Sequence, residues 1–265
     1  MSNPAFETVQ LDLNIEKTIA YVILNRPEVH NAFNDIMIKE LTQIFQKIDS
    51  DVGVRVVVLQ GAGKSFCAGA DLNWMKRVKD YSYVDNLKES MELAVMFDTM
   101  YSLTKPTIAK VQGNAIGGGT GLVAVCDMAI AASDARFSFS EVKLGLIPAC
   151  ISPYVIKKCG EGKVRELFLS GERIAAEKAM SAGLVNIVVP PGELDSAVDD
   201  LVIKLLSSGP EAIKKCKELI TKLPTLNHDE VKKYTAEVIA HMRMSEEAQE
   251  GMNAFLEKRK PHWNK

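Results

Sequence analysis

Apolar positions along the chain change period several times, and each change marks an element. Residues 9–14 (VQLDLN) alternate and 18–25 (TIAYVILN) run mostly apolar, which together predict a β-hairpin. DIMIKELTQIFQKIDS then carries apolar residues at 36, 38, 41 and 44–45, the spacing of one helical face, with Asn34 placed to cap it. VRVVVLQG (54–61) is a continuous β-branched run, the pattern of a strand covered on both faces. PTIAKVQG (106–113) and MAIAAS (128–133) repeat that character, and a helix is predicted over 117–126 between them. MELAVMFDTM places Met91, Leu93, Met96 and Met100 at helical spacing, which reads as core packing. Strands alternating with helices predict an α/β fold with much parallel pairing. From about residue 195 the period is helical with almost no strand signal, and Gly209-Pro210 separates two helices. The expected division is a core over 1–195 and a helical region over 196–265, a lid or a subunit interface. No internal repeat stands out.

Composition narrows the function classes. The chain has 265 residues, 47% hydrophobic and 25% charged, which suits one large domain with an appendage. Its 32 Lys and Arg against 34 Asp and Glu leave a net charge of -2, without the basic excess of a nucleic-acid binder. The 6% aromatic content offers few platforms for stacking bases. The short run KRK at 258–260 reads as a solvated terminal face. Cys67, Cys126, Cys150, Cys159 and Cys216 are scattered with no CxxC, so reduced, buried thiols in a cytoplasmic protein are expected rather than a disulfide framework. The four histidines lie far apart, and no metal site is expected. The opening MSNPAFETVQLDLN has neither the basic nor the apolar run of an export signal, and no apolar stretch reaches the ~18 residues of a membrane span.

Two loops of small residues hold the candidate chemistry. GAGKSFCAGAD (61–71) ends like a phosphate loop, but the first glycine of that motif would fall on Val58, inside a strand. GNAIGGGTG (113–121) fails as a dinucleotide fingerprint, because its third glycine would fall on Leu122. Both loops run into helices, with Asp71 a good N-cap for the first. Each presents backbone N–H groups unobstructed by side chains. Two such loops facing one cavity would aim two N–H groups at one oxygen, whereas singly each is plain turn chemistry. Glu141, in FSFSEVKLGLIP, is either an exposed loop carboxylate or a partly buried acid suited to proton transfer.

NRPEVHNAFN, SFCAGADL, AIGGGTGLVAVCDMAIA, FSFSEVKLGLIP, GLVNIVVP and AFLEKRKPHW, in that order, resemble the crotonase (enoyl-CoA hydratase/isomerase) superfamily across residues 8 to 263. The resemblance implies a crotonase-like ββα spiral core with a helical C-terminal trimerisation region, as a homotrimer or a dimer of trimers. It implies an acyl-CoA substrate, coenzyme A arriving as part of that substrate and no further cofactor. By motif position, Ala70 and Gly118 match the residues whose N–H groups hold the thioester oxygen, and Glu141 matches one of two catalytic glutamates. Val29 and His30 match the CoA arm; Ala68, Asp71 and Leu72 the adenine end; Gly117 and Gly121 the substrate loop. Phe255 and Lys258 match C-terminal residues that reach the CoA nucleotide, often from a neighbouring subunit, which gives KRK a second reading, a lysine meeting a phosphate.

The chain departs from the family at two places. The other hydratase glutamate's position, in the family's GGGxE, holds Gly121, and the family's PGxGG after the second acid reads PACIS from Pro148. One acid leaves three routes: Glu141 alone handles both protons of a hydration, another residue helps, or the reaction is a one-base isomerisation. GLVAVCDMAI, SEVKLGLIPA followed by ISPYV, and EEAQEGMNAFLEKRKP resemble the bacterial methylglutaconyl-CoA hydratase branch, which implies hydration of a branched or dicarboxylic acyl chain. Lys76, Arg77 and Tyr81 are candidates to meet an acyl carboxylate, or else solvent-facing helix residues. Trp74 and Met75 are acyl-pocket or core residues. A weakly catalytic acyl-CoA or RNA-binding member is the alternative from another class, and the charge and aromatic content oppose its RNA form.

Overall fold

The structure is a computed structural model describing residues 6–264. In chain order its strands are β1 (Val9–Leu13), β2 (Ile19–Leu24), β3 (Val56–Gly61), β4 (Thr107–Val111), β5 (Asn114–Ile116), β6 (Met128–Ala132), β7 (Arg136–Ser138), β8 (Arg173–Ala175) and β9 (Ile187–Val189). Its helices are α1 (Asp35–Ser50), α2 (Leu72–Val78), α3 (Tyr83–Tyr101), α4 (Gly118–Val125), α5 (Ser152–Cys159), α6 (Glu161–Ser170), α7 (Ala176–Ser181), α8 (Leu194–Leu206), α9 (Pro210–Lys222), α10 (His228–Met244) and α11 (Glu246–Leu256).

The alternation at 9–14 and the run at 18–25 form the antiparallel pair β1–β2, with Val9 opposite Leu24. The β-branched runs become β3, β4 and β6, joined in parallel to β2 and β9 in a sheet of order β1-β2-β3-β4-β6-β9. A smaller sheet orders as β5-β7-β8. Phe33 bridges Ala70, and Cys67 bridges Ala115. Successive turns of chain therefore repeat one plan: a strand in the large sheet, a short strand or single bridge beside the small one, then helix. β2, Phe33 and α1 make one turn; β3, Cys67 to Ala70, and α2–α3 the next; β4, β5 and α4 the third; β6, β7 and α5–α6 the fourth. This is the α/β spiral of ββα turns that the resemblance implies.

Local chemistry explains the element ends. The Asn34 side chain accepts the Met37 N–H at 2.8 Å and starts α1, which buries Met37, Ile38, Leu41, Ile44, Phe45 and Ile48. Met37, rather than Ile36, completes that face. On α3, Met96 and Met100 are buried but Met91 is exposed, a correction to its reading as core. Five residues advance a helix by about 140°, so Met91 cannot share a face with Met96. α4 is apolar on all sides and buried, as such a helix must be. Lys158 of α5 donates to the carbonyls of Val123 (3.2 Å) and Cys126 (2.6 Å), a cation where the α4 dipole favours one. Burial lowers the Lys158 pKa.

All five cysteines are free; Cys67 and Cys126 are buried, Cys150 and Cys159 half-buried and Cys216 exposed. The chain divides into two compact units, the first running to Leu103 and resuming over Thr107–Val198, the second taking Thr104–Pro106 and the chain from Asp199 onward. In the second, Glu247 accepts the N–H groups of Glu211 and Ala212, both at 2.9 Å, and so caps the helix that begins at Pro210. Asn227 and Glu230 form a capping box on α10. Among the described residues no helix is long and apolar enough to cross a membrane, and no group of three or more His, Cys, Asp or Glu is placed to hold a metal.

Candidate active site

Glu141 leaves β7 on a short 3-10 turn, Ser140–Leu144. A Cβ added to Gly117 would lie 3.2 Å from Glu141 Oε1 and 3.9 Å from Oε2, so the carboxyl rests directly on that glycine. Gly117 has φ +53° and ψ -121°, a conformation glycine adopts without strain. Its N–H donates to Ser138 O at 2.8 Å and ties the start of α4 to the strand that delivers Glu141. The Thr120 hydroxyl strengthens that tie, 2.6 Å from Ala115 O and 2.9 Å from Ser138 O. Among the described residues Glu141 Oε2 is buried with no hydrogen-bond partner, and burial pushes the carboxyl above its ordinary pKa. Of the two sequence readings, the partly buried acid is the observed one.

The second loop is set by pairing across the small sheet. The Phe33 N–H donates to Gly69 O and the Asp71 N–H to Phe33 O, both at 2.7 Å. Groups alternate in direction along an extended chain, so the Ala70 N–H faces away from Phe33. Cys67 N–H to Asn114 O (3.0 Å) and Ile116 N–H to Cys67 O (2.9 Å) lay this loop beside β5. Ala70 and Gly118 thus end two adjacent parallel segments. Neither N–H has an acceptor among the described residues.

The first loop joins them. His30 O accepts the Ala68 N–H at 3.0 Å, and His30 Nδ1 lies 3.2 Å from Ser65 Oγ. Val29 ends the 3-10 turn Pro27–Val29, and His30 and Asn31 follow with φ of 54° and 57°. Asn31 is fully buried; its amide donates to Ala62 O and Ser65 O and its oxygen accepts the Arg26 N–H, all at 2.8 Å. Arg26 reaches Ala32 O at 2.7 Å and Asp71 Oδ2 at 2.9 Å. The Asp71 carboxylate also caps α2 through the N–H groups of Asn73 and Trp74. Burial opposes its charge, but the Trp74 N–H, Arg26 and the Asn73 N–H outweigh that and hold it below the usual range. Leu72 is exposed.

Gly121 sits one turn into α4, and its N–H bonds Gly117 O at 3.1 Å. A Cβ there would meet Ile151 Cγ2 at 2.2 Å and Phe97 Cε1 at 3.3 Å. Arg77 is salt-bridged to Asp35, while Tyr81 (3.3 Å) and the Trp74 indole (2.9 Å) both donate to Glu89. In the second unit Phe255 is exposed and Lys258 takes φ 55° as the chain leaves α11. Arg259 grips Glu250 through two nitrogens at 2.7 Å each, foremost among the contacts that hold the Glu250 carboxyl down to about 2. KRK is therefore not wholly a solvated face. Sequence reasoning missed the roles of Arg26, Asn31, Phe33, Phe97 and Ile151. A polar Asn31 between His30 and apolar residues was the one available signal.

Unclaimed N–H groups on adjacent loops, with a partly desolvated acid against Gly117 on an α/β spiral, form an arrangement able to polarise a carbonyl and to exchange a proton. Comparison with known proteins is specific. The family profile described as Enoyl-CoA hydratase/isomerase matches residues 14–265. Short-chain-enoyl-CoA hydratase of Clostridium acetobutylicum is 35% identical over 250 residues, 94% of this chain and 95% of its own. Crotonyl-CoA hydratase of Syntrophomonas wolfei is 32% identical over 265 residues, 98% of each chain. A solved enoyl-CoA hydratase structure from Shewanella pealeana matches with TM-score 0.93 and 39% identity, covering 97% of this chain and 96% of its own. The chain belongs to the enoyl-CoA hydratase/isomerase family of the crotonase superfamily.

Proposed function

We propose that this enzyme adds water across the C2=C3 bond of a short enoyl-CoA, with a branched or dicarboxylic, methylglutaconyl-like chain as the preferred substrate. The observation that carries the reading is the Glu141 carboxyl, half-buried, with Oε2 buried and unpartnered among the described residues, resting on Gly117 beside the free N–H of Gly118. Conjugation with the thioester makes C3 electrophilic. Glu141 takes a proton from water as the water oxygen bonds to C3, and the π electrons move through C2 onto the thioester oxygen. The N–H groups of Ala70 and Gly118 stabilise that enolate oxygen, each donor supplying about 3–4 kcal/mol. The enolate then collapses as C2 takes the proton back from Glu141. Water has been added as H and OH, and the carboxylate is restored.

Val29, His30, Ala68, Asp71 and Leu72 supply the CoA arm and adenine contacts in this reading, and Phe255 and Lys258 of a neighbouring copy meet the nucleotide. Arg77 and Tyr81 already have acidic partners, which leaves Lys76 as the freer cation for an acyl carboxylate. A cytoplasmic homotrimer or dimer of trimers is part of the proposal; the exposed Met244, Phe255 and Leu256 of the second unit support burial against other copies. Light scattering on the purified protein tests the assembly.

The activity is tested by following loss of enoyl absorbance with 3-methylglutaconyl-CoA and crotonyl-CoA. Faster hydration of the first is expected, and no water addition to any short or branched enoyl-CoA rejects the reading. The single carboxyl gives one-base isomerisation a specific claim as second reading. A 3-enoyl-CoA turned over in heavy-oxygen water separates the two, because isomerisation yields unlabelled conjugated product.

A further inference from the structure

We infer that Ile151 is the residue that holds this site to one carboxyl, by occupying the room a side chain at position 121 would need. The inference rests on the hydratase reading for its chemical half and on packing alone for its steric half.

Gly121 is buried on α4, one turn beyond the loop that carries Gly117 and Gly118. A helical side chain leans toward the N-terminus and covers the turn before its own Cα. A glutamate at 121 would therefore carry its carboxyl back over Gly117 and Gly118, where the Glu141 carboxyl already lies on Gly117. Position 121 is thus a place from which a second acid would face the first. In this chain that direction is filled. The added Cβ would come within 2.2 Å of Ile151 Cγ2 and 3.0 Å of Ile151 Cβ, far inside the ordinary contact distance. The Phe97 ring closes the other side at 3.3 Å.

Ile151 cannot swing aside. It is 3% exposed and part of the main core, and its carbonyl accepts the N–H groups of Tyr154 (3.2 Å) and Val155 (3.1 Å) as α5 begins. Phe97 packs against Phe33 with ring centroids 6.3 Å apart, and against Tyr154 at 6.4 Å. Gly121 and Ile151 are one device in two pieces: the glycine makes room and the isoleucine fills it with hydrocarbon. Packing opposes any single substitution at 121, whatever its chemistry.

The test is a thermal-melting cycle on the full chain: wild type, Gly121→Ala, Ile151→Ala and the double variant. Gly121→Ala should lower Tm by about 3–10 °C through overpacking. In the Ile151→Ala background the same change should cost clearly less, because the 2.2 Å contact with Cγ2 is gone and only the 3.0 Å contact with the Cβ and the 3.3 Å contact with Phe97 are left. Losses that add independently overturn the inference. A Gly121→Ala protein that does not fold while the double variant does is the coupling in its strongest form. The chemical half is read from Gly121→Glu with Ile151→Gly: kcat/KM for crotonyl-CoA hydration should gain a second ionisation in its pH profile. A folded double variant whose profile superposes on wild type overturns that half. Wild-type protein that hydrates no enoyl-CoA while the melting coupling holds rejects the functional reading and leaves the packing inference standing.

Discussion

Replacing Gly118 with alanine adds one methyl group where the geometry has no room for it. Its Cβ would lie 2.8 Å from Phe33 Cε2 and 3.2 Å from Cδ2. Unstrained carbon contacts sit at about 3.5–4.0 Å, so either the ring or the α4 backbone must yield by at least ~0.7 Å. The ring is held: Phe33 is 2% exposed and packed edge-on against Phe97. The backbone moves, and the Gly118 N–H moves with it. Overpacking of this kind costs about 1–3 kcal/mol, and a misplacement near 1 Å costs about 10²-fold in rate. Crotonyl-CoA hydration followed by enoyl absorbance should show kcat down ~10²-fold with KM little changed, because charge on the thioester oxygen develops only toward the transition state. Adding Phe33→Leu should return part of both kcat and Tm. A variant that melts lower yet turns over at the wild-type rate would refute the reasoning, since the Gly118 N–H would then lie off the reacting oxygen.

Glu141→Gln should lower kcat by about 10²–10⁴-fold, the range for a lost acid–base group. It should also melt higher than wild type at pH 7. The folded Glu141 pKa is raised, so as pH rises the unfolded chain releases this proton first and the wild type loses stability from about 4.5 up through the folded value. The two Tm curves should converge near pH 4; a Gln variant that melts lower at pH 7 counts against the buried, unpartnered carboxyl. Arg26→Met leaves the Asp71 carboxylate, 8% exposed, without its cation. Urea unfolding should show a loss of about 3–5 kcal/mol, and adding Asp71→Asn should recover part of it. Equal stability of the single variant and wild type would show that the pair is not what holds the Pro27–Val29 turn to the Ala70 loop.

What the chain determined by itself is whatever depends on neighbours a few residues apart. Asn34 and Asp71 cap their helices, the 9–25 hairpin pairs, the β-branched runs become central parallel strands and the Gly209-Pro210 break falls between two helices, because period, side-chain reach and turn chemistry are local. The small-residue loops and Glu141 were visible as candidates for the same reason. Only the tertiary structure decided which way these groups face. The Ala70 N–H is turned outward by Phe33, 37 positions earlier in the chain; the Glu141 carboxyl is desolvated against Gly117; and Gly121 is closed over by Ile151. The spiral itself left no repeat in the sequence, since its second strands shrink to three residues or a single bridge and carry too few positions for a period. Burial and hydrogen-bond direction are properties of the whole packing, and the site is made of both.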